Sequence, residues 1–587
     1  EPLVRDLART ADPLMALRNF HRYAAAVFNQ SSFFRLLTQN TEHRAFLTTL
    51  LASSQLMADI VVRNPEYLEW CFAEADLNQV KPVERYVQQL SDFVRRHKSQ
   101  EARQRALCRF KRRELLRMGV RDLLGKGTLD DFCRELTHLA EAACDLALRD
   151  TWQEVVARHG FPDVSTAVDG DNSSPGAGFA VYAMGKFGGC ELNFSSDIDL
   201  VFVYQREGRT SGHTDATGHR SGVTTNHEFY CRFSSAICAY LSATTNEGIL
   251  YRVDARLRPD GQAGSLARSL QAYATYFADQ ARAWEKIPYI KARMVAGDPA
   301  VEERFDLLAE SFCYSQNEPN ILLPEVARLK KRIDYEALDR DGRRLDIKRG
   351  QGGIREIEFV VAVLQLLYGV YDKKLRLRAT LHALSELVAS GKYKEAHARK
   401  LEDAYWLFRR IEHMLQMMEE QQTHRMPDTP DEREALARRC GFENLAEFEK
   451  EEKTAREFVR RRFEEIFHDE IKGELSLADR LETGDPPDAE TLEELHPAGL
   501  GTVEGFKALR ELATGTREWA LRSAGQRTFE KLLPRLLEVY QEVPNPVAAT
   551  RNLCSFLRAH HSVSALYELM HSHPPVIKLL LRPLGFG

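Results

Sequence analysis

Apolar residues recur at three- and four-residue spacing along most of this chain, and one stretch, residues 178–258, departs from that pattern. The spacing predicts amphipathic helices over residues 14–70, 81–158, 324–340, 354–470 and 504–582. Within the exceptional stretch, β-branched and aromatic runs predict strands at 178–184, 199–204 and 248–259, with a helix at 229–244. The predicted fold is therefore mostly α-helical, with one inserted α/β domain flanked by helical bundles.

The composition limits the partners that the chain can have. Hydrophobic residues make up 43% and charged residues 28% of the 587 residues, and the formal net charge is -5. Such a chain has no electrostatic bias toward nucleic acid or a membrane surface. Because the sequence contains neither a run of about 18 apolar residues nor a signal-peptide pattern, we expect a cytoplasmic protein without nucleic-acid or membrane partners.

Three further features are interpreted as structural. The ten cysteines are scattered without CxxC pairs, which is typical of reduced and mostly buried thiols. The basic run RFKRRELLR (109–117) lacks a pattern of interleaved aromatic residues, so we predict a solvated helix face and not a nucleic-acid site. His413 and His424 have no second ligand at metal spacing and are predicted to be structural.

Two aspartates open the second predicted strand. In an extended chain, Asp197 and Asp199 share one face, while Ile198 and Leu200 pack on the other. Two like charges at this separation raise each other's pKa unless a cation lies between them. The pattern therefore indicates a cation site at the start of the strand.

A third carboxylate follows on the third predicted strand. Alternation along LYRVDARLR (250–258) places Asp254 on the same face as Arg252, Arg256 and Arg258. Guanidinium groups suit phosphate, and three hard oxygen ligands beside them suit two-metal phosphoryl or nucleotidyl transfer. We therefore predict that the three aspartates are catalytic and hold two Mg²⁺ ions.

The residues that precede the aspartate pair complete a candidate phosphate site. At Gly188 and Gly189 the missing side chains would let backbone N–H groups approach a triphosphate or its leaving group, and Lys186 would add a point charge. Ser196, like Ser195, is either a ligand contact or a turn residue. The segment is not a P-loop, because the sequence contains no GxxxxGK[ST] pattern.

The aspartate segments resemble a known signature. GKFGGCELNFSSDIDLVFVY (185–204) followed by YRVDARLRPDGQAGSL (251–266) is similar to the nucleotidyltransferase motif of the DNA polymerase β superfamily. The form is that of the bifunctional glutamine synthetase adenylyltransferase/adenylyl-removing enzymes. Further similar stretches follow in the same order at 284–298, 346–369 and 409–427. The resemblance implies a polymerase β-like mixed sheet in the inserted domain.

This family has two heads, which respectively remove AMP from and attach AMP to a tyrosine of glutamine synthetase. IPYIKAR (287–293) and GGIREIEF (352–359) resemble the removing head, so the chain is expected to be the amino-terminal half. The implied reaction is Mg²⁺-dependent attack of inorganic phosphate on adenylylated glutamine synthetase, giving ADP in nitrogen regulation. ATP and a PII-type signalling protein are further implied partners. The glycine pair would bind phosphate, and Arg256 and Arg258 would neutralise its charge.

A glycine-rich turn opens the predicted helix that follows the α/β domain. In KRGQGGIREIEF (348–359), a helix N-terminus with free N–H groups and a positive dipole would face an anion, flanked by Lys348 and Arg355. The alternative is an ordinary turn whose charges lie in water. Together with the resemblance, the pattern predicts that this edge lines the nucleotide or phosphate cleft.

The end of the chain resembles its beginning. Residues 564–587 align without a gap on residues 31–54, with coincident leucines. The alignment predicts that the chain stops partway through a second copy of its opening module and that a second head follows. Amphipathic helices can also share such leucines by chance.

The length exceeds what a single core supports, and polar stretches at 168–178, 206–222 and 482–490 mark breaks. We predict an N-terminal helical module (1–100), a nucleotidyltransferase domain with leading helices (101–310), a helical domain completing the cleft (311–480) and a helical linker or regulatory module (481–587).

Two other functions fit the sequence. A forward ATP-dependent adenylyltransferase or a uridylyltransferase would use the same aspartates, because metal ligands select neither base nor direction. A non-catalytic scaffold would use the helices to bind glutamine synthetase and a PII-type protein. The intact set of three aspartates argues against the scaffold.

Overall fold

The computed structural model describes most of the chain. The described residues are 2–73, 77–164, 174–214, 220–315, 317–336, 346–419, 423–467, 476–483, 487–515, 521, 523–559 and 563–586. Parts of the predicted polar breaks at 168–178, 206–222 and 482–490, and the end of the predicted helix at 324–340, lie outside these ranges.

Helices precede the sheet, as the apolar spacing predicts. They are α1 (Pro2–Ala8), α2 (Pro13–Ala26), α3 (Gln30–Gln39), α4 (Thr41–Ser53), α5 (Gln55–Arg63), α6 (Glu66–Ala73), α7 (Val83–Arg95), α8 (Gln100–Leu123) and α9 (Leu129–His159). The longest of them, α9, starts at a capping box in which Thr128 and Asp131 each accept from the other's backbone N–H.

The inserted domain contains a small mixed sheet. Its elements are β1 (Phe179–Ala183), α10 (Gly185–Gly188), β2 (Ile198–Tyr204), β3 (His213–Thr214), β4 (Arg220–Ser221), α11 (Asn226–Ser242), β5 (Val253–Asp254), β6 (Ala267–Ser269), α12 (Leu270–Asp279), α13 (Lys286–Ile290) and β7 (Arg293–Gly297). The strand order is β5-β2-β1-β7, and β6 also pairs with β2. The predicted class, mostly α with an inserted α/β domain, is confirmed.

The centre of the sheet is apolar on both faces. β1 and β2 are antiparallel, and apart from Asp199 their residues are buried. Phe179 stacks on Phe202 and Tyr230, with ring centroids 6.0 and 5.4 Å apart. These runs therefore form interior strands that α11 covers on one side, and the polar residues concentrate where β2 begins.

Two sequence expectations for this region were wrong. The predicted strand at 248–259 is extended only at Val253–Asp254, because the Asp254 carboxylate accepts from the backbone N–H of Arg256 at 2.8 Å and the chain turns there. The departure from helical structure also continues past residue 258, since β6 and β7 complete the sheet. β6 has only three residues, and β7 (RMVAG) lacks a run of β-branched and aromatic residues.

Helices follow the sheet in two groups. The first consists of α14 (Pro299–Tyr314), α15 (Pro319–Glu336), α16 (Ile354–Tyr368), α17 (Thr380–Ala389), α18 (Glu395–Glu419), α19 (Pro430–Arg439) and α20 (Leu445–Ile466). The second consists of α21 (Leu477–Thr483), α22 (Ala489–Leu495), α23 (Val503–Thr514), α24 (Ser523–Tyr540), α25 (Pro546–Arg558), α26 (Val563–Ser572) and α27 (Pro575–Leu584).

Buried apolar side chains of the described residues form two clusters. One runs from α1 through the sheet to the residue after α20, and the other lies within α21–α27 and their connections. Ion pairs join the two parts: Arg282 contacts Glu530 at 3.1 Å, and Arg328 contacts Asp479 at 3.4 Å. The C-terminal helices therefore have a core of their own and a charged contact with the rest. The four predicted domain boundaries stay predictions.

The basic run at 109–117 is a solvated helix face only in part, contrary to prediction. Arg117 is fully buried and donates to Glu114 at 2.8 Å and to Glu135. Glu135 also accepts from Arg121. The run lies on α8, which packs against α7 and α9. Arg117 is therefore paired with buried carboxylates, whereas Arg109 is exposed to water.

The repeat between the two ends of the chain is present in the structure and extends beyond the aligned segments. α2–α4 and α25–α27 begin at corresponding positions to within one residue, with Asp12 and Asn545 as N-caps before a proline. Asn19 donates to the Leu51 carbonyl at 3.1 Å, and Asn552 donates to the Leu584 carbonyl at 2.8 Å. The same helix-to-helix hydrogen bond at equivalent positions favours a duplicated module over chance leucine spacing.

In the described part of the chain, no single helix has both the length and the apolar character of a membrane span. α4 and α5 together meet those two criteria but bend by 119° where they join.

Candidate active site

The start of β2 brings the three predicted carboxylates together. Asp197 immediately precedes β2, and Asp199 lies within it. β2 pairs with β5 in parallel, with Asp199 opposite Asp254. All three aspartates line one cavity of about 480 Å³ beneath α16.

Arginine side chains contact two of these carboxylates. Arg252 Nε donates to Asp197 Oδ1 at 2.6 Å, and Arg256 Nε lies 2.9 and 3.0 Å from the two oxygens of Asp254. Among the described residues, no group of three or more histidine, cysteine or acidic side chains is arranged to hold a metal ion. The arginines occupy oxygens that a metal would need, so binding would require these ion pairs to rearrange.

The carboxylate cluster nevertheless has the chemistry of a divalent cation site. Burial, followed by the negative charge of Asp254, raises the pKa of Asp199 to about 7. A divalent cation would remove this electrostatic cost, and carboxylate oxygens are the donors that Mg²⁺ prefers. The residues present therefore fit the predicted metal.

Cations surround the carboxylates. Four basic residues among the predicted phosphate-binding residues line the same cavity: Lys186, Arg256, Lys348 and Arg355. Burial alone would raise the pKa of Glu358, but Arg355, Lys291 and Lys348 lower it to about 2. The cavity therefore combines a carboxylate cluster with an excess of basic groups, as a site for Mg²⁺ and phosphate requires.

Lys186 is held by a buried polar network. Its Nζ donates to both oxygens of Glu412 at 2.5 and 2.6 Å, and Asn193 Nδ2 donates to the same carboxylate at 2.6 Å. His424 Nδ1 lies 3.0 Å from Glu412. Burial lowers the pKa of Lys186 to about 7, although Glu412 opposes this shift. Lys186 is thus positioned by α18 and is not a free point charge, and His424, expected to be structural, also lines the cavity.

The two predicted phosphate-binding glycines lie elsewhere. Gly188 and Gly189 line a neighbouring cavity and not the one that contains the aspartates. A Cβ at Gly188 would lie 1.9 Å from the Lys291 carbonyl oxygen, so close backbone packing explains this glycine. Gly185 is the glycine beside the carboxylates: its φ is +53°, and a Cβ would lie 2.7 Å from Asp199 Oδ2.

Two other predicted residues occupy different positions relative to the cavity. Arg258 is absent from the described cavity lining and donates to the carbonyls of Gly264 and Ala255 at 3.0 and 2.6 Å, so it holds the turn after β5. Ser196 lines the cavity, and its Oγ accepts from the backbone N–H of Asn193 at 3.0 Å. Ser196 is therefore both a turn residue and a cavity residue.

The N-terminus of α16 does not offer the free N–H groups that the sequence suggested. The N–H of Ile354 donates to Ile347 at 3.2 Å, and the N–H of Arg355 donates to Lys348 at 3.0 Å. Gly353 is the N-cap residue and packs closely on the Ile347 carbonyl. Carbonyl groups of the glycine-rich turn thus accept hydrogen bonds from the N–H groups at the start of α16. The turn and the helix contribute to the cavity through the side chains of Lys348 and Arg355.

Sequence reasoning missed several residues of the cavity. Lys291, Glu358 and Gly185 line it, and Glu412 positions one of its lysines. Each lies inside a segment that shows the family resemblance, but a single acidic or basic residue on a helix has no distinctive spacing. Only the packing of α13 against α16 and of α16 against α18 brings them together.

Two family models match parts of the chain. A family model described as glutamate-ammonia ligase adenylyltransferase matches residues 45–307. A second model, described as GlnD PII-uridylyltransferase, matches residues 327–467. The first includes the sheet with its aspartates. The second includes α16, which lines the opposite side of the cavity, and α18, whose Glu412 binds Lys186.

Curated relatives match along nearly the whole chain. Bifunctional glutamine synthetase adenylyltransferase/adenylyl-removing enzymes from Pseudomonas putida, Xanthomonas axonopodis pv. citri and Stenotrophomonas maltophilia are 30%, 32% and 32% identical to it. The matches cover 99%, 82% and 92% of this chain and 58%, 49% and 55% of the relatives. The chain thus spans about half the length of these relatives. It belongs to the family of bifunctional glutamine synthetase adenylyltransferase/adenylyl-removing enzymes.

Proposed function

We propose that this chain removes AMP from adenylylated glutamine synthetase by Mg²⁺-dependent phosphorolysis of the tyrosyl-AMP bond. The observation that carries the proposal is the position of Asp199 opposite Asp254, with Asp197 beside them, in a cavity rich in basic side chains. The names of the relatives supply the protein substrate and the adenylyl group. A glutamine synthetase substrate would place the reaction in the cytoplasm.

The proposed reaction balances without another reactant. An oxygen of hydrogen phosphate forms a bond to the adenylyl phosphorus, and the bond from that phosphorus to the tyrosyl oxygen breaks. The proton of hydrogen phosphate ends on the tyrosyl oxygen, so the products are ADP and unmodified tyrosine. Arg256, Lys348 and Arg355 would bind and orient the phosphate oxygens, because their charges face the same cavity.

The aspartates would hold the cation. Two Mg²⁺ ions bound by Asp197, Asp199 and Asp254 would supply charge neutralisation at the reacting phosphates. Arg252 and Arg256 hold two of these carboxylates in place before the cation binds. The Glu412 carboxylate would keep Lys186 at the edge of the same cavity.

The direct test is to incubate the chain with adenylylated glutamine synthetase, inorganic phosphate and Mg²⁺ and to measure ADP. We expect phosphate-dependent ADP formation that stops on chelation of Mg²⁺, while the far-ultraviolet circular dichroism stays unchanged. ATP consumption with pyrophosphate release on unmodified glutamine synthetase, and no reaction with phosphate, would instead establish the forward adenylyltransferase.

The match to a PII-uridylyltransferase model over residues 327–467 favours a second candidate, uridylyl transfer to or from a protein tyrosine. Replacing ATP by UTP, and glutamine synthetase by a PII-type protein, distinguishes the two. We also propose a PII-type protein as a regulatory partner. Binding of both proteins without any nucleotide turnover would leave the scaffold as the function.

A further inference from the structure

The active-site cavity has an apolar side that the phosphate chemistry does not use. We call it the apolar wall, and it consists of Leu257, Trp284, Ile287, Leu329, Ile333 and Phe359. These residues come from the turn after β5, the segment before α13, α13 itself, α15 and α16. Five separate parts of the fold thus direct apolar side chains to one side of a cavity whose other side carries ionic groups.

The apolar wall is continuous with the charged side. Leu257 follows Arg256 directly, and Phe359 lies one helical turn after Arg355 on α16. The Arg355 guanidinium lies over the Phe359 ring, 5.8 Å from its centroid. A ligand whose phosphates contact Arg355 and Arg256 would therefore place its remaining part against the apolar wall.

Contacts with α15 and with the main core fix the side chains of the apolar wall. The backbone N–H of Trp284 donates to Glu325 on α15 at 3.1 Å, which fixes the tryptophan beside Leu329 and Ile333. Phe359 is 2% exposed and belongs to the main core. A preformed surface with aromatic side chains suits a flat, apolar ring system better than a flexible chain.

We propose that the apolar wall is the base-binding subsite for the adenosine part of the nucleotide, with Trp284 as its main contact. The inference rests on the proposed nucleotidyl chemistry and specifies its ligand as a purine nucleoside diphosphate. The wall contains six apolar side chains, an extent that suits the larger apolar face of a purine over a pyrimidine. Inorganic phosphate, which has no base, would occupy the charged side alone.

The test measures binding of ADP, UDP and pyrophosphate to the full chain in the presence of Mg²⁺ by calorimetry. We expect Trp284→Ala to weaken ADP binding by roughly five- to a hundredfold, the usual loss when an aromatic ring stacked on a base is removed. Pyrophosphate binding should change less than about twofold, since it makes no base contact. Trp284→Phe should retain most of the ADP affinity.

Trp406→Ala is the matched control. Trp406 is also partly buried, but it lines two other cavities and not this one. Its replacement should leave ADP binding unchanged. Equal losses of ADP and pyrophosphate binding in Trp284→Ala, or unchanged ADP binding, would overturn the proposal. Stronger binding of UDP than of ADP would overturn the purine assignment.

A second measurement needs no variant. Photolysis of 8-azido-ADP bound to the unmodified chain should label peptides that contain Trp284, Ile333 or Phe359. Labelling confined to the neighbouring cavity around Arg376 and Arg378 would contradict the inference. These binding experiments do not use glutamine synthetase. Trp284-dependent ADP binding without phosphorolysis would therefore support the subsite and contradict the proposed function.

Discussion

Asp199 lies directly opposite Asp254 in the parallel pairing of β2 with β5. This register, and not the distance along the chain, brings a carboxylate from each strand into one cavity with Asp197. A shift of one residue in β5 would turn the Asp254 side chain to the other face of the sheet. The short β5 is therefore essential to the geometry of the site.

Replacement of the aspartates should separate activity from folding. We expect Asp199→Asn and Asp254→Asn each to reduce phosphate-dependent ADP formation by several orders of magnitude, because each removes a hard oxygen ligand. Asp279→Asn, an exposed aspartate at the end of α12, should retain full activity. The assay is ADP release from adenylylated glutamine synthetase. Near-normal turnover in either active-site variant would contradict the assignment.

Asp199→Asn should also stabilise the metal-free protein at neutral pH. The pKa of Asp199 is raised to about 7, so the folded state holds a proton that the unfolded state releases near pH 4. The free energy of unfolding should therefore fall as the pH rises from about 4 to 7, by about 2–4 kcal/mol from this group. Asparagine does not ionise, so the variant should not undergo this fall in the free energy of unfolding.

The measurement is urea unfolding at pH 5 and pH 8 without divalent cations. The stability difference between Asp199→Asn and the parent chain should be larger at pH 8, whereas Asp279→Asn should follow the parent at both values. A variant less stable than the parent at pH 8 would show that the carboxylate is not destabilised in the fold.

The two arginines after β5 should have different roles. Arg256→Ala should raise the KM for phosphate and lower turnover by about tenfold or more, because Arg256 lines the cavity and contacts Asp254. Arg258→Ala should mainly lower stability, since Arg258 donates to carbonyls of the turn. Kinetics at varied phosphate and thermal unfolding test both. Equal rises in KM for phosphate in both variants would restore the original assignment of Arg258.

Gly188 and Gly189 should differ in their tolerance of a methyl group. Gly188→Ala should destabilise the protein by about 1–3 kcal/mol, since its Cβ would collide with the Lys291 carbonyl. Gly189→Ala should be milder, because its nearest contact is the Glu191 side chain at 3.0 Å. Urea unfolding measures the stability, and calorimetry measures pyrophosphate binding. Loss of pyrophosphate binding in a fully stable Gly189→Ala would support the phosphate role predicted from the sequence.

Glu135→Ala should be among the most destabilising changes outside the site. It leaves Arg117 and Arg121 buried without their shared carboxylate, and breaking such a pair costs about 3–5 kcal/mol. Glu154→Ala on the same helix removes an exposed partner of Arg158 and should cost less than about 1 kcal/mol. Urea unfolding of the two variants provides the comparison. Similar small effects would mean that the buried network adds little.

Much of the fold could be predicted from spacing. Apolar residues of α4 and α18 recur with helical period, which predicts helices there. The segment from Phe179 to Tyr204 contains two runs of strand-forming residues, which predict β1 and β2. β6 was missed because it has only three residues, and β7 was missed because its sequence RMVAG contains a single β-branched residue. Their strand character arises from pairing with β1 and β2, which a local pattern does not contain.

Only those parts of the site that have a local sequence pattern were predicted. Asp197, Asp199 and Asp254 were identified because alternation and like charge make a local argument. Gly188 and Arg258 were assigned to phosphate from residue type alone, whereas their positions depend on which backbone groups approach them. The N–H groups at the N-terminus of α16 could not be assigned from the sequence either, because their acceptors are carbonyl groups of the preceding turn.

The helix α15 contacts both the active-site cavity and the C-terminal helices. Leu329 and Ile333 face the cavity, while Arg328 and Arg332, one residue earlier in each case, form ion pairs with the helices after residue 476. A rigid helix cannot rotate to improve one of these contacts without altering the other. The affinity of the apolar wall for its ligand and the docking of the C-terminal helices are therefore thermodynamically linked. Added salt weakens the ion pairs and should therefore also change the affinity for the nucleotide.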